Sequence, residues 1–182
     1  MDILVNHLIS LGVLKTPHII DAFRKIDRAD FVPENSKIHA YVDEALPIGH
    51  GQTISQPYTV AFMIELLMLK AGDKILEIGY GSGWQTAILA EIVGNQVSDR
   101  KFNEFKVEVV GNQVSDYFGK VYAIEIIKEL CQFGKENINK YSFIKKGIVK
   151  TYCADPELGL PKIANKIGGF DKIIAAAALT ED

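Results

Sequence analysis

The apolar positions follow helical spacing at the amino end and short unbroken runs further on. Ile3, Leu4, His7, Leu8 and Leu11 share one face of a helix that Gly12 ends. Thr16-Pro17 predicts an N-cap with proline at the first helical position, and Ile19, Ile20, Phe23 and Ile26 turn inward from the helix that follows. The segment 27–33 (DRADFVP) closes it. From Pro57, the residues Val60, Ile64, Leu67 and Met68 give another helix. Ile75, Leu76 and Ile78 then form a brief run of the kind buried on both faces of a parallel sheet. An amphipathic helix over 85–92 follows, then a strand over 121–124 and a helix over 126–140. Further strands are predicted over 148–153 and 170–177. Strands alternating with helices predict an α/β fold with a parallel, Rossmann-like sheet.

Two stretches interrupt this rhythm. Residues 45–57 (ALPIGHGQTISQP) have two prolines, two glycines and neither period, so they read as a loop. It delivers His50, Gln52, Thr53 and Ser55 just before a helix. Thr53 and Ser55 either cap backbone donors or serve a site. Residues 91–99 (EIVGNQVSD) recur at 108–116 as EVVGNQVSD, an offset of 17 residues. Two copies do not make a solenoid. They read as a tandem duplication lengthening one connection, an insertion near 93–119 in a single domain spanning 1–182. Residues 1–58 carry helices and loop; 59–182 carry the core.

The chemistry gathers around 75–84 (ILEIGYGSGW). Gly79, Gly81 and Gly83 follow the strand at alternate positions, where the chain must turn sharply and a ligand can approach the backbone. Glu77 lies inside the strand. Glu125 ends the next one, where dinucleotide folds place an acid on ribose hydroxyls about 20 residues past the glycines. It follows Gly83 by 42 residues, or 25 once a duplicate copy is discounted. Its alternative is to cap the next helix. Asp155, past the third strand, either meets an adenine amino group or makes a turn before Pro156. The spacing is G-x-G-x-G, without the third glycine of G-x-G-x-x-G, which disfavours a nicotinamide-dependent dehydrogenase.

Composition narrows the class. With 182 residues, 48% hydrophobic and 24% charged, the chain is globular and one domain long. A net charge of −3 leaves no basic footprint for nucleic acid. No apolar run approaches the ~18 residues of a membrane span. The amino end lacks a signal-peptide pattern. Cys131 and Cys153 are too few and too far apart for a disulfide framework or zinc site, which favours a reduced, cytoplasmic setting.

Taken together, YVDEALPIGHGQTISQP, ILEIGYGSGW, VYAIE and FDKIIAAAA resemble the protein-L-isoaspartate O-methyltransferases, a family of class I methyltransferases. The resemblance implies S-adenosylmethionine held by Glu77, Gly79, Gly81, Gly83, Glu125 and Asp155. It makes Ser55 of the GQTIS loop the active-site residue, with Thr53 and the Ile54 backbone on the substrate. It implies methylation of the α-carboxylate of L-isoaspartyl residues in damaged proteins. Where that family has Gly-Asp-Gly, this chain has Ala154-Asp155-Pro156. The family continues beyond the fourth strand, so the sequence predicts a truncated chain, its open sheet edge covered by an oligomer or partner. A non-catalytic cofactor-binding remnant is the alternative.

Overall fold

A computed structural model describes residues 1–94, 119–155 and 160–176. Four helices and three strands precede the duplicated connection: α1 Asp2–Ser10, α2 Pro17–Lys25, β1 Leu46–Gly49, β2 Gln52–Ile54, α3 Pro57–Leu67, β3 Lys74–Ile78 and α4 Trp84–Gly94. After it come β4 Lys120–Glu125, α5 Lys128–Asn139, β5 Val149–Cys153, α6 Pro161–Ile167 and β6 Lys172–Ala175. Strands β5, β4, β3 and β6 lie side by side in that order, and every neighbouring pair is parallel. The glycine turn therefore leaves the carboxyl end of a central strand, where ligands of open α/β sheets bind.

The pleat explains the two cores. Ile75, Val121, Ala123 and Val149 face one layer, packed with α4, α5 and the amino-terminal helices. Leu76, Tyr122 and Ile124 alternate to the other face, which Ile163 and Ile167 of α6 cover. Helix α4 is not amphipathic as the pattern predicts. Trp84 through Val93 are all buried, because α2, α5 and β4 surround it. Its one acid there, Glu91, meets the Lys25 ammonium at 2.5 Å.

Other expectations shift in detail. Helix α1 buries Leu4, Val5 and Leu8 and leaves Ile3 exposed, so its inward face is rotated from the predicted one. Thr16 and Pro17 do open α2, but the Thr16 hydroxyl donates to Glu65 Oε2 at 2.7 Å and caps nothing. Two 3-10 turns, Arg28–Phe31 and Glu34–His39, fill the connection after α2. Residues 45–57 are not simply a loop. Strands β1 and β2 pair antiparallel, with Leu46 and Ile48 inward. Gly49, His50 and Gly51 all take positive φ in the turn, which is why glycines flank it.

The cysteines are the clearest correction. Cys131 and Cys153 form a disulfide, with Cα atoms 5.7 Å apart. Their separation of 22 residues is spanned by α5 and the return into β5, which lies beside β4, so the fold brings them together. The cysteine argument for a reduced compartment therefore falls away. The duplicated segment lies outside the described residues apart from its first four positions. The same holds for 177 in the last predicted strand and for the chain end.

Candidate cofactor and substrate site

The site starts where β3 ends. Gly79 and Gly81 adopt φ of 79° and 45°, a region closed to most side chains. The Gly79 amide donates to Ile124 O at 2.8 Å, so the turn hangs on β4. A Cβ on Gly81 would meet only Ile48 Cδ1 at 3.5 Å, so that backbone faces open space. Gly83 differs. Its Cβ would lie 2.7 Å from Ile138 Cγ1 and 2.8 Å from Gly134 O, so this glycine lets α5 pack closely and does not face the cleft.

Glu125 fixes the glycine turn and the backbone that leads into α5, while the α5 N-cap residue itself makes no side-chain capping bond. Oε2 accepts from the Gly81 amide at 2.9 Å, while Oε1 accepts from the Ile126 and Ile127 amides, each at 2.9 Å. These amides precede α5, which begins at Lys128, two residues later than the pattern predicts. The carboxylate thereby ties the glycine turn to the end of the neighbouring strand.

Glu77 is fully buried. Gln85 Nε2 donates to its Oε1 at 3.0 Å, whereas Oε2 has no hydrogen-bond partner among the described residues. Burial foremost raises its pKa from the usual carboxylate range to about 7, against the pull of the nearby Thr86 hydroxyl and the Gln85 amide and with a smaller push from the Glu125 charge. A buried carboxyl with a spare oxygen in a cleft wall suits a ligand that brings its own donors.

The cleft itself is lined by Thr53, Ile54 and Ser55 from the hairpin and by Glu77, Gly79 and Gly81 from β3 and its turn. Six of the nine predicted site residues thus share one space. Glu125 reaches it through the Gly81 amide. Asp155 is exposed beyond β5, two strands from β3, and does not line the cleft. Gly83 stands behind it. Sequence reasoning missed Tyr80, Ser82, Trp84, Gln85, Val60 and Ala176 as lining residues. All but Val60 and Ala176 sit inside the glycine motif or next to it, so adjacency could have found them. Ala176 could not have been found that way, since only the β3–β6 pairing brings it in.

The hairpin is held from below by Arg28, which is also fully buried. Its Nη1 donates to Ala40 O at 2.9 Å and Val42 O at 3.2 Å. Its Nη2 donates to Glu44 O at 2.8 Å and Ser55 O at 3.1 Å. The guanidinium lies 5.2 Å from the centre of the Trp84 ring. Burial lowers its pKa to about 10, partly offset by Asp43, so it stays a cation at neutral pH. Asp43 adds a second tie, accepting the Tyr58 amide on Oδ1 at 2.8 Å, while Gln56 Nε2 donates to Asp43 O at 3.1 Å.

A parallel sheet with a glycine turn after its central strand and a carboxylate closing the next strand defines a nucleotide-cofactor domain of the class I methyltransferase type. Within that class the chain belongs to the protein-L-isoaspartate(D-aspartate) O-methyltransferase family, whose profile matches residues 1–181. It is 36% identical over 177 residues to the protein-L-isoaspartate O-methyltransferase of Staphylothermus marinus, covering 97% of this chain and 68% of that one. The Myxococcus xanthus protein of the same description is 38% identical over 165 residues, 91% of this chain and 63% of the relative. The chain spans 63% to 69% of the length of five such relatives. Among solved structures, the Plasmodium falciparum protein crystallised with S-adenosyl-L-homocysteine superposes with a TM-score of 0.76. That match is at 24% identity and covers 98% of this chain and 73% of the other. Another, a protein-L-isoaspartate O-methyltransferase, gives 0.74 at 25% identity, covering 99% and 49%. Family membership removes the dehydrogenase alternative.

Proposed function

We propose that this chain binds S-adenosylmethionine and catalyses methylation of the α-carboxylate of L-isoaspartyl residues in damaged proteins. The observation that carries the reading is the shared cleft, in which the Thr53–Ser55 strand end stands against the Gly79–Gly81 turn. The residues fit the cofactor. Gly81, at positive φ, leaves backbone facing open space, and the spare Glu77 Oε2 offers an acceptor in the wall. Gly79, Gly81, Glu77 and Glu125 would hold it, and Asp155, past β5 on the far side of β4, would meet the base. Gly83 supports that turn through α5. When bound, S-adenosylmethionine supplies an electrophilic methyl group on a sulfonium sulfur.

The chain's own work is placement. A substrate carboxylate is ionised at pH 7, so no general base is required of the protein. Ser55, whose hydroxyl has no hydrogen-bond partner among the described residues, is free to donate to one carboxylate oxygen. Thr53 and the Ile54 backbone flank it. Excluding water from the cleft and aligning the reactants supplies the rest. Among the described residues no cluster of His, Cys, Asp and Glu could hold a metal. No helix among them is long and apolar enough to cross a membrane.

The test is methyl transfer from labelled S-adenosylmethionine to an isoaspartyl peptide beside its aspartyl twin. Labelling of the first alone is the expected result. Ser55→Ala should lower that rate at least about tenfold, some 1.4 kcal/mol of barrier, with cofactor affinity unchanged. Tight cofactor binding without any transfer would make the chain a binding module instead. Equal turnover with alanine would reduce Ser55 to part of the wall.

A further inference from the structure

Residues 27–33 (DRADFVP) follow α2, and none of them lines the cleft. Arg28 is fully buried, and no carboxylate lies within salt-bridge distance among the described residues. Desolvating a guanidinium is costly unless its donors are used. Here four backbone carbonyls and one aromatic face take that role, and only Nε is left without a partner. The placement of those carbonyls matters more than their number. Glu44 precedes β1 and Ser55 follows β2, so one nitrogen, Nη2, grips both roots of the hairpin. The ring beneath the guanidinium belongs to Trp84, the first residue of α4 and a lining residue of the same cleft.

We propose that Arg28 is a positioning residue for methyl transfer, clamping both roots of the β1–β2 hairpin so that Ser55 is set against the glycine turn. The proposal rests on the reading of Ser55 as the residue that orients the substrate carboxylate. Holding the Ser55 carbonyl fixes the backbone on the carboxyl side of that residue and with it the direction of its Cα–Cβ bond. The rigid planar fork matters, because Arg28 serves four carbonyls from two fixed nitrogens, whereas a lysine ammonium has three donors at one point and cannot hold all four. The Asp43 ties to Tyr58 and Gln56 do not involve Arg28, so the start of α3 stays anchored without it.

The experiment combines Arg28→Lys with hydrogen exchange and kinetics. Amides over 44–56 should exchange roughly tenfold faster in the variant while those of β3 and α4 keep their protection. This arm needs no turnover, so it decides the clamp even if the chain proves not to methylate isoaspartyl peptides. In kinetics, kcat should fall roughly tenfold or more, as small misplacements at a reacting centre do, while the Kd for S-adenosylhomocysteine stays within about twofold of wild type. In a Ser55→Ala background, Arg28→Lys should add little, because the residue it positions is gone. Should Arg28→Lys not fold, a protein with the α-hydroxy acid at Gln56 keeps Arg28, weakens the Ser55 carbonyl as an acceptor and removes only the Gln56 N–H besides, which donates to nothing among the described residues. It should show the same local exchange and the same kcat loss. Unchanged protection over 44–56, a uniform loss of protection, or effects that multiply in the double variant would each overturn the proposal.

Discussion

At the scale of single residues, the most consequential group is Glu77, because its position in the strand is plain from sequence while its protonation is not. A carboxyl in a run of apolar residues can be paired, neutral or exposed, and only the fold shows that it is buried beside Gln85 and near Glu125. Burial raises its pKa from 4.5 to about 7. Between these values the unfolded chain ionises while the native carboxyl keeps its proton, so the unfolded state binds fewer protons. The contribution is therefore intact below about pH 4.5 and is lost as pH rises towards 7, an effect on the order of 3 kcal/mol. Glu77→Gln keeps the shape, still accepts from Gln85 and cannot ionise. Denaturant unfolding at pH 5 and pH 8 should show this variant losing much less stability than wild type between the two. An equal loss in both proteins would place the titrating group elsewhere. Arg28 makes the same point about legibility. An arginine three residues before Phe31 carries no periodic signal, and its four carbonyl partners come from segments that only tertiary packing assembles.

At the scale of elements, the pairing of β3 with its glycine turn was legible because an unbroken β-branched run, three alternate glycines and a following helix agree at every level. The β1–β2 hairpin was not, since four-residue and three-residue strands with Pro47 inside give too few positions for alternation to register. Nor was the disulfide, because spacing along the chain says nothing of which helix lies against which strand end. The contact between α5 and the glycine turn is a third feature of this kind. Gly134 sits mid-helix, where glycine normally costs about 0.5–1 kcal/mol relative to alanine. Here a Cβ would come within 2.8 Å of the Tyr80 ring and press on the Gly81 carbonyl. Gly134→Ala should therefore destabilise the protein by roughly 1–3 kcal/mol, the usual cost of overpacking, where helix propensity alone predicts a gain. Thermal unfolding gives the sign, and calorimetry with S-adenosylhomocysteine should show weaker binding, because the displaced carbonyl belongs to the turn. A stabilised variant with unchanged affinity would mean that α5 has room to move.

For the whole molecule, the alternation of the four parallel strands with α4 and α5 follows from sequence, as does the edge of the sheet on which ligands bind. What the pattern could not supply is how a long connection fits between α4 and β4 without disturbing a site built on both. The structure answers through its ends. The Gly119 amide donates to Val93 O at 3.1 Å, and so does the Gly72 amide, also at 3.1 Å. A Cβ on Gly119 would lie 2.6 Å from Val93, so a glycine is needed where the two arms of the connection close together. The described residues that flank 95–118 are thus held in contact, and the entropy cost of joining them rises only with the logarithm of the number of residues between. Deleting residues 96–112 joins Asn95 to Gln113, restores a single copy of the repeat and leaves both arms intact. Shortening the loop in this way should stabilise the domain by about 1 kcal/mol or leave it unchanged. Binding of S-adenosylhomocysteine should persist, because Glu125 and the glycine turn take their positions from β4 and β3. Chemical denaturation and calorimetry on the deletion protein check both points. A deletion protein that is insoluble, or that folds but no longer binds, would show that the second copy contributes to the core or to the site.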